Sequence, residues 1–508
     1  MWFNIKKVIS LDKKRGVNLL VIIMLLLVGA LLRTIYLGTM DLFVDEAYYW
    51  DWSRKLDFGY YSHPPMVAWL IFLGRTLLGN TETGIRIPFA MLGITVILLT
   101  YFLGKILFNN LTGLIAAAFV AVSPTYIFSS RLATPDHIVV LLWILTMIFF
   151  WLAYKESRLI YWLIFGIFLG LGFEAKYQII FLVFAIIAFL LIFSRVTFIK
   201  IRFWIGVCTS LLIFLPNIIW NANHSWITFV FQGIYGLQRS FGTTNPSLAR
   251  ILAKPLVFMR ELLTFPDLVL ILAVILSLFV TIHLILNKKK EEALFLFFSF
   301  SFITLFFSLF FGKSHWFFPG AIGAIILLSS IFSELIKNKF SAIFACLIVL
   351  LLLTKSILLS YEFINVFAYS ITIPKRFAKS SIHSIAFYGS RDWRGTITKL
   401  SKDLDYKNKR QQLFTEDYTA AGELAFYLPN HPEIYSPNGQ YLIWGKPKNL
   451  ASNKIVVSSN YNFVSTYNTA NQTFNTIRNQ IRILYYTQLS EADLRSPRFN
   501  WNLKIEGP

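Results

Sequence analysis

The sequence predicts an α-helical polytopic membrane protein with about eleven transmembrane helices, followed by a C-terminal soluble α/β domain. Three observations indicate this fold class. The 508 residues are 56% hydrophobic and only 14% charged, and the mean hydropathy is +0.61. Apolar runs of about 20 residues, each long enough to cross a bilayer, recur between Val17 and Ser360. After Tyr361 these runs end, and polar, Asn-rich sequence follows.

The first apolar run, Val17 to Leu37, follows several lysines and one arginine. Because the run is too long for the core of a signal peptide, we interpret it as an uncleaved first helix. With the N-terminus in the cytoplasm, much of the loop lysine and arginine falls on the cytoplasmic side, as the positive-inside rule requires. We place the spans at 17–37, 85–106, 111–129, 138–154, 159–173, 178–194, 203–220, 267–286, 293–311, 316–333 and 341–360.

The predicted domains follow from these spans. A membrane domain covers residues 1–369, and a C-terminal domain covers 370–508, which is long enough for one compact fold. A first loop at 38–84 and a long loop at 221–266 lie on the side opposite to the cytoplasm, together with the C-terminal domain.

Local patterns predict individual elements outside the spans. The pair Pro64-Pro65 can begin a helix, and the run that follows, Met66–Leu78, is too short to span and suits the membrane interface. The alternating segments Lys454–Ser458 and Ile481–Tyr486 predict strands, and Thr419–Tyr427 predicts a short helix.

Charge and cysteine content exclude several classes of protein. The net charge of +21 is consistent with the positive-inside rule, and we expect no nucleic-acid partner. The two cysteines, Cys208 and Cys346, both lie inside predicted spans. This excludes a disulfide framework and a zinc–thiolate site.

The first loop carries the strongest indication of chemistry. Asp45 and Glu46 follow the first span closely, and a carboxylate at a membrane surface is costly unless it is solvated, paired or used. Adjacent residues on a helix point about 100° apart, so one carboxylate can face a cavity while the other pairs. Asp45 is a candidate general base. The alternative is that both acids only stabilise the N-terminus of a helix over 47–56.

Polar groups at other span ends have two interpretations each. Asp136 is a candidate site carboxylate, but it or Thr134 could simply cap the helix that begins at Pro135. Arg131 could bind substrate or extend its guanidinium to lipid headgroups. Lys176 could bind a phosphate as a point charge or pair with Glu174.

The histidines at predicted span ends do not have the spacing of a closed metal site, so we expect no bound metal. Each is better suited to hydrogen bonding or to contact with a phosphate. These histidines are His63, His224 and His315.

A series of motifs, taken in chain order, resembles the bacterial glycosyltransferase family 39-like proteins of the GT-C superfamily. Their relatives include the protein O-mannosyltransferases and the aminoarabinose transferase that modifies lipid A. The resemblance covers nearly the whole chain. The motifs are Asp45-Glu46-Ala-Tyr-Tyr-Trp, His63-Pro64-Pro65, Ser130-Arg131-Leu-Ala-Thr-Pro-Asp136, Lys176-Tyr177, Leu215-Pro-Asn-Ile-Ile-Trp-Asn221, His315-Trp316-Phe-Phe-Pro319 and Ala421-Gly-Glu-Leu-Ala-Phe-Tyr427-Leu-Pro429.

The resemblance implies an inverting glycosyltransferase that moves a sugar from a polyprenyl-phosphate carrier to an acceptor of the cell envelope. Lipid A or lipopolysaccharide is the first acceptor to consider, and a protein hydroxyl, as in O-mannosylation, is the alternative. A sugar-lipid transporter is the alternative from another class. The implied location is the bacterial inner membrane, with the active site and the C-terminal domain in the periplasm.

The resemblance also assigns roles to residues. Asp45 becomes the catalytic carboxylate, with Glu46 beside it and Asp136 as a second site carboxylate. The residues implied to bind the carrier phosphate or the sugar are His63, Arg131, Lys176, Tyr177, His224, Lys313 and His315.

One departure from the family pattern concerns the residues before Pro64-Pro65. The aminoarabinose transferase carries Glu-Lys there, whereas this chain has Ser62-His63. Both an acidic ligand and a phosphate-binding lysine are therefore missing at this place. We expect no cofactor. The departure also weakens the inference that this chain uses aminoarabinose as its substrate.

Overall fold

The computed structural model describes residues 2–35, 37–235, 267–310, 317–336, 392–406, 411–449, 453–458, 475–478 and 483–489, with isolated helical positions at 253–257 and 343–354. The helices, in chain order, are α1 (Trp2–Thr34), α2 (Val44–Ser53), α3 (Met66–Leu78), α4 (Glu82–Leu107), α5 (Asn110–Val122), α6 (Pro124–Arg131), α7 (Pro135–Glu156), α8 (Leu159–Ala175), α9 (Ile180–Phe193), α10 (Ile201–Asn223), α11 (Ile227–Val230), α12 (Leu268–Leu286), α13 (Lys290–Phe310), α14 (Phe318–Leu335), α15 (Trp393–Asp403), α16 (Tyr418–Tyr427) and α17 (Gln440–Trp444).

Helices occur at the predicted spans from 17–37 to 316–333, and α3 has the predicted bounds, while its place at the membrane interface stays a prediction. Within the described residues, four helices are long and apolar enough to cross a membrane, or up to five if the bent pair α5 and α6 counts as one span. The chain is an α-helical membrane protein, while the number of about eleven spans stays a prediction. The last predicted span, 341–360, lies largely outside the described residues.

The predicted span at 111–129 is divided into α5 and α6, between which the chain bends by 59°. Pro124 begins α6 and has no N–H, so it cannot donate to the carbonyl of Val120. A buried arginine supplies the missing donor: Arg33 Nη2 lies 3.1 Å from the Val120 oxygen, and Arg33 Nη1 lies 3.1 Å from the Ala121 oxygen.

Small residues allow α8 and α10 to pack backbone to backbone. A Cβ added at Gly170 would lie 2.7 Å from the Ser210 oxygen, and one added at Gly206 would lie 2.7 Å from the Trp162 oxygen. This close approach is typical of small residues at membrane helix interfaces. It aligns the two helices, so that the end of α8 lies beside the last turns of α10.

The chain divides into two compact units. Unit 1 comprises Met1–Leu37, Ile87–His224 and Gly233–Phe363. Unit 2 comprises Gly38–Arg86, Ser225–Gln232 and Ile364–Pro508. The first loop thus belongs to the same unit as the C-terminal region. The predicted domain boundary at 369/370 stays a prediction.

Unit 2 contains a five-stranded mixed sheet in the order β2-β1-β3-β5-β4. The strand β1 runs parallel to β2 and β3, whereas β5 runs antiparallel to β3 and β4. The predicted α/β character is confirmed, and β3 has the predicted bounds. The strands are β1 (Gln412–Phe414), β2 (Ile434–Tyr435), β3 (Lys454–Ser458), β4 (Asn475–Arg478) and β5 (Ile483–Gln488).

The helix α16 packs tightly against α2. A Cβ added at Gly422 of α16 would lie 2.7 Å from the Tyr48 nitrogen and 2.8 Å from the Ala47 carbonyl carbon. Only glycine fits there, because backbone atoms cannot move aside as a flexible side chain can. The Tyr48 hydroxyl in turn accepts a hydrogen bond of 2.5 Å from the Gln440 N–H. The C-terminal region therefore holds α2 from two sides.

Replacing Gly422 with Ala is expected to lower the free energy of unfolding by about 1–3 kcal/mol, because the added methyl group overpacks this contact. Thermal unfolding of the purified protein in detergent measures the effect. The matched control is Gly233→Ala, since a Cβ at Gly233 would meet no atom within 4 Å. Equal melting temperatures for the two variants would contradict the assignment of this contact.

Candidate active site

Two adjacent carboxylates in the first turn of α2 differ in their exposure to solvent. Glu46 is fully buried, and its Oε2 accepts a hydrogen bond of 2.9 Å from the Phe43 N–H. This bond satisfies a donor at the helix N-terminus that would otherwise lack an intrahelical partner. Asp45, one residue earlier, is exposed. The helical rotation per residue therefore leaves one carboxylate accessible while the other anchors the helix.

Arg86, in the first turns of α4, binds Glu46 and the chain segment that precedes α2. Its Nε and Nη2 lie 2.9 Å and 2.6 Å from Glu46 Oε1 and Oε2, a bidentate pair that is fully buried. The same guanidinium donates to the carbonyl oxygens of Met40 and Asp41 at 3.0 Å and 2.9 Å. Our sequence reasoning missed Arg86. A signal was available, because a buried charge inside an apolar helix needs a partner.

A second charged cluster links the start of the loop to the C-terminal region within unit 2. Arg394 donates from its backbone N–H to Asp41 Oδ2 at 3.3 Å, and its Nε lies 3.3 Å from Asp41 Oδ1. Its Nη2 pairs with Glu82 Oε1. The Tyr427 hydroxyl donates to the same Glu82 oxygen at 2.9 Å and accepts from the Leu42 N–H at 2.8 Å.

Burial shifts the pKa of two groups in this cluster. Burial raises the pKa of Asp41 because it disfavours the charged carboxylate, and the Arg394 cation opposes this rise. Burial also raises the pKa of the Tyr427 hydroxyl, which stays protonated and able to donate. The cluster is thus a structural anchor for the loop that precedes Asp45.

His63 lies in the same unit at a tight bend. The Tyr60 N–H donates to the His63 carbonyl oxygen at 3.2 Å. The His63 ring packs edge-on to Tyr49, with ring centroids 5.8 Å apart, and its Nδ1 lies 3.2 Å from Gln232 Nε2. Its side chain is half-buried.

In unit 1, the first turn of α7 and the residue after α8 bring Asp136 and Lys176 together. Lys176 Nζ lies 2.6 Å from Asp136 Oδ1. Lys176 is only 8% exposed, whereas about a third of the Asp136 side chain is accessible (35%). The N-cap residue of α7 is Thr134, which makes no side-chain cap hydrogen bond. The alternative that Lys176 pairs with Glu174 was wrong, since its carboxylate partner in the structure is Asp136.

Arg131 is buried, at 2% exposure, so the alternative that it extends to lipid headgroups was wrong. Its Nη1 and Nη2 donate to the carbonyl oxygens of Leu32 and Ile35 at 3.1 Å and 2.8 Å. These carbonyls belong to the C-terminal end of α1, where helix carbonyls lack intrahelical donors. Arg131 therefore caps α1, as Arg33 caps α5.

Tyr177 and two asparagines of α10 form a polar group in unit 1. The Tyr177 hydroxyl donates to Asn217 Oδ1 at 2.8 Å, and Asn221 Nδ2 lies 3.2 Å from the same oxygen. Both asparagines are fully buried. His224 ends α10, with its Nδ1 2.8 Å from the Trp220 oxygen and its ring stacked on Trp220 at 3.9 Å between centroids.

Two predicted site residues, Lys313 and His315, lie outside the described residues. Among the residues that the structure describes, there is no group of three or more His, Cys, Asp or Glu side chains able to hold a metal ion.

Parts of the chain match a known family and a known glycosyltransferase. The family model described as dolichyl-phosphate-mannose-protein mannosyltransferase matches residues 62–220. A segment of 40 residues is 60% identical to the lipid A galacturonosyltransferase RgtD of Rhizobium johnstonii, and the match covers 8% of each chain.

Solved structures share the fold at low sequence identity. ArnT from Cupriavidus metallidurans in the apo state matches with a TM-score of 0.59 and 13% identity, over 93% of this chain and 98% of ArnT. The same protein bound to undecaprenyl phosphate matches with a TM-score of 0.57 and 12% identity, over 91% and 97%. The Archaeoglobus fulgidus oligosaccharyltransferase matches with a TM-score of 0.54 and 13% identity, over 87% and 69%. The family match and the identical segment make this chain similar to these glycosyltransferases over part of its length, and the solved structures show that it has the fold of ArnT.

Proposed function

We propose that this chain is an integral membrane glycosyltransferase that moves a sugar from a polyprenyl-phosphate carrier to lipid A or a related envelope lipid. The observation that carries the proposal is the exposed Asp45 carboxylate on a helix that the buried Glu46–Arg86 pair holds in place. Relatives support the substrate class. ArnT has been solved with undecaprenyl phosphate, and RgtD is a lipid A galacturonosyltransferase.

Asp45 acts as the general base in this proposal. It takes the proton of an acceptor hydroxyl while that oxygen attacks the anomeric carbon, and the bond from this carbon to the carrier phosphate breaks. Attack from the face opposite to the phosphate inverts the anomeric configuration. If the acceptor oxygen belongs to a phosphate, Asp45 orients the acceptor instead. Glu46 is a positioning residue, because both of its oxygens bind within the protein.

The leaving phosphate gains negative charge as the glycosidic bond breaks, and cationic groups stabilise it best where water is scarce. Lys176 is the candidate for this role in unit 1, since it is a nearly buried ammonium with Asp136 as its orienting partner. His63 is the candidate in unit 2. We leave Arg131 out of this set, because its guanidinium caps α1.

The proposed location is the bacterial inner membrane, with Asp45 and the C-terminal region on the periplasmic side. The orientation rests on loop charge, because lysine and arginine concentrate in the loops assigned to the cytoplasm.

The proposal is tested by reconstituting the purified protein in liposomes with a sugar-linked undecaprenyl phosphate and lipid A. Lipid A is then analysed by mass spectrometry for the added sugar, alongside lipid A from cells with and without the gene. Sugar on a protein hydroxyl instead of lipid A would select the protein O-mannosyltransferase alternative. Movement of the carrier lipid across the bilayer without any sugar transfer would overturn the proposal in favour of a transporter.

A further inference from the structure

A buried carboxyl at the end of α8 makes no hydrogen bond to the described residues and has no part in the proposed reaction. Glu174 is 1% exposed, and neither of its oxygens has a hydrogen-bond partner among the described residues. The Asn217 main chain lies close by without meeting hydrogen-bond geometry. A buried polar group without a partner lowers stability. Such a group needs an explanation, and a ligand that completes its hydrogen bonding supplies one.

The packing of α8 against α10 places polar side chains near Glu174. The glycine contacts between α8 and α10 bring the end of α8 beside Asn217, one turn before Asn221. The Tyr177 hydroxyl lies 2.8 Å from Asn217 Oδ1 and 3.4 Å from Asn221 Nδ2. A carboxyl, two amides and a phenol, mostly buried, thus occupy one end of this helix pair.

Lys176, the candidate for the carrier phosphate, lies two residues from Glu174 in the chain. Its ammonium binds Asp136 at 2.6 Å, and no cation of the described residues pairs with Glu174. A phosphate at Lys176 and a hydroxyl-rich group at Glu174 would therefore be bound by neighbouring positions on one short segment. A carrier-linked sugar has this chemistry, because its phosphate and its sugar hydroxyls are adjacent.

We propose that Glu174, Tyr177, Asn217 and Asn221 form the subsite for the hydroxyl groups of the carrier-linked sugar. Glu174 accepts hydrogen bonds from sugar hydroxyls, and the asparagine amides and the Tyr177 hydroxyl exchange some of their mutual hydrogen bonds for bonds to the sugar. The subsite rests on the proposed function. It also disfavours a uronate, since two carboxylates side by side in a buried site repel each other.

The test compares binding of undecaprenyl phosphate with binding of its glucose-linked and galacturonate-linked forms to the full-length protein in nanodiscs. The wild type is expected to bind the glucose-linked form at least tenfold more tightly than the plain carrier. In Glu174→Leu this preference is expected to fall to about twofold or less, while affinity for the plain carrier stays unchanged. Asn221→Leu should lose preference in the same direction. The controls are Asn223→Leu, an exposed asparagine at the end of α10, and Glu156→Leu, an exposed acid at the other end of α7.

The melting temperature of the Glu174 variant is a second measurement. A structural role for Glu174 predicts a change of the opposite sign from the one that the subsite predicts. Glu174→Leu is expected to raise the melting temperature, because it removes a buried carboxyl without a partner. A lower melting temperature with equal losses for all three lipids would make Glu174 a structural residue and overturn the subsite.

Two further outcomes separate the subsite from the proposed function. If the wild type transfers sugar and Glu174→Leu keeps the full preference for the sugar-linked carrier, the subsite is rejected and the proposed function stands. If the wild type neither transfers sugar nor prefers any sugar-linked carrier, both fall together.

Discussion

Replacing Asp45 with Asn is expected to lower the rate of sugar transfer by about 10²–10⁴-fold, the range typical of the loss of a general base. The carboxylate alone can take the acceptor proton, whereas an amide of the same size cannot. Because Asp45 is exposed, the change should leave the melting temperature unaltered. Transfer is measured in liposomes under single-turnover conditions, which separate the chemical step from binding of the two lipids.

The matched control is Asp57→Asn, another exposed carboxylate of the same loop. Among the described residues, Asp57 Oδ1 accepts a local hydrogen bond from the Phe58 N–H at 2.8 Å, so its loss should leave the transfer rate near that of the wild type. Near-normal turnover in Asp45→Asn would reject the assignment of the base. A similar loss in both variants would indicate a general effect of loop charge rather than catalysis.

Replacing Arg86 with Ala is expected to lower the free energy of unfolding by about 3–5 kcal/mol, because it leaves the buried Glu46 carboxylate without its cation. The carbonyl oxygens of Met40 and Asp41 would also lose their donor. Denaturation in detergent measures the stability, and Arg86→Lys should recover only part of it, since an ammonium cannot make the bidentate contact.

Arg158→Ala is the control for Arg86, because the Arg158 side chain is 68% exposed and pairs with Glu156 at 3.3 Å on the surface. Its loss should change the free energy of unfolding by less than about 1 kcal/mol. At temperatures where Arg86→Lys stays folded, the rate of transfer should fall more than the affinity for the carrier, since the pair orients the helix that bears Asp45. An Arg86→Ala protein as stable as Arg158→Ala would show that the buried pair does not hold the loop.

Hydropathy and local patterns were sufficient for much of the fold. Apolar runs predicted the helices from α4 to α10 and from α12 to α14, because the length of a membrane helix follows from the bilayer itself. The two prolines predicted the start of α3, and alternation predicted β3. The bend between α5 and α6 was missed, although Pro124 carried the signal. The hydropathy of an apolar run is the same whether the run forms one straight helix or two helices with a bend between them.

For the candidate site, the sequence by itself determined which residues could carry chemistry: acids and bases at helix ends in an apolar chain. Which of them stay accessible was decided by the tertiary structure alone. Asp45 and Glu46 are neighbours in sequence, yet one is exposed and the other is buried against Arg86, 40 residues away. Arg131 caps a helix, and Lys176 binds Asp136 instead of the nearer Glu174. The physical reason is that a buried charge takes whichever partner the packing of distant segments provides, and hydropathy carries no record of that packing.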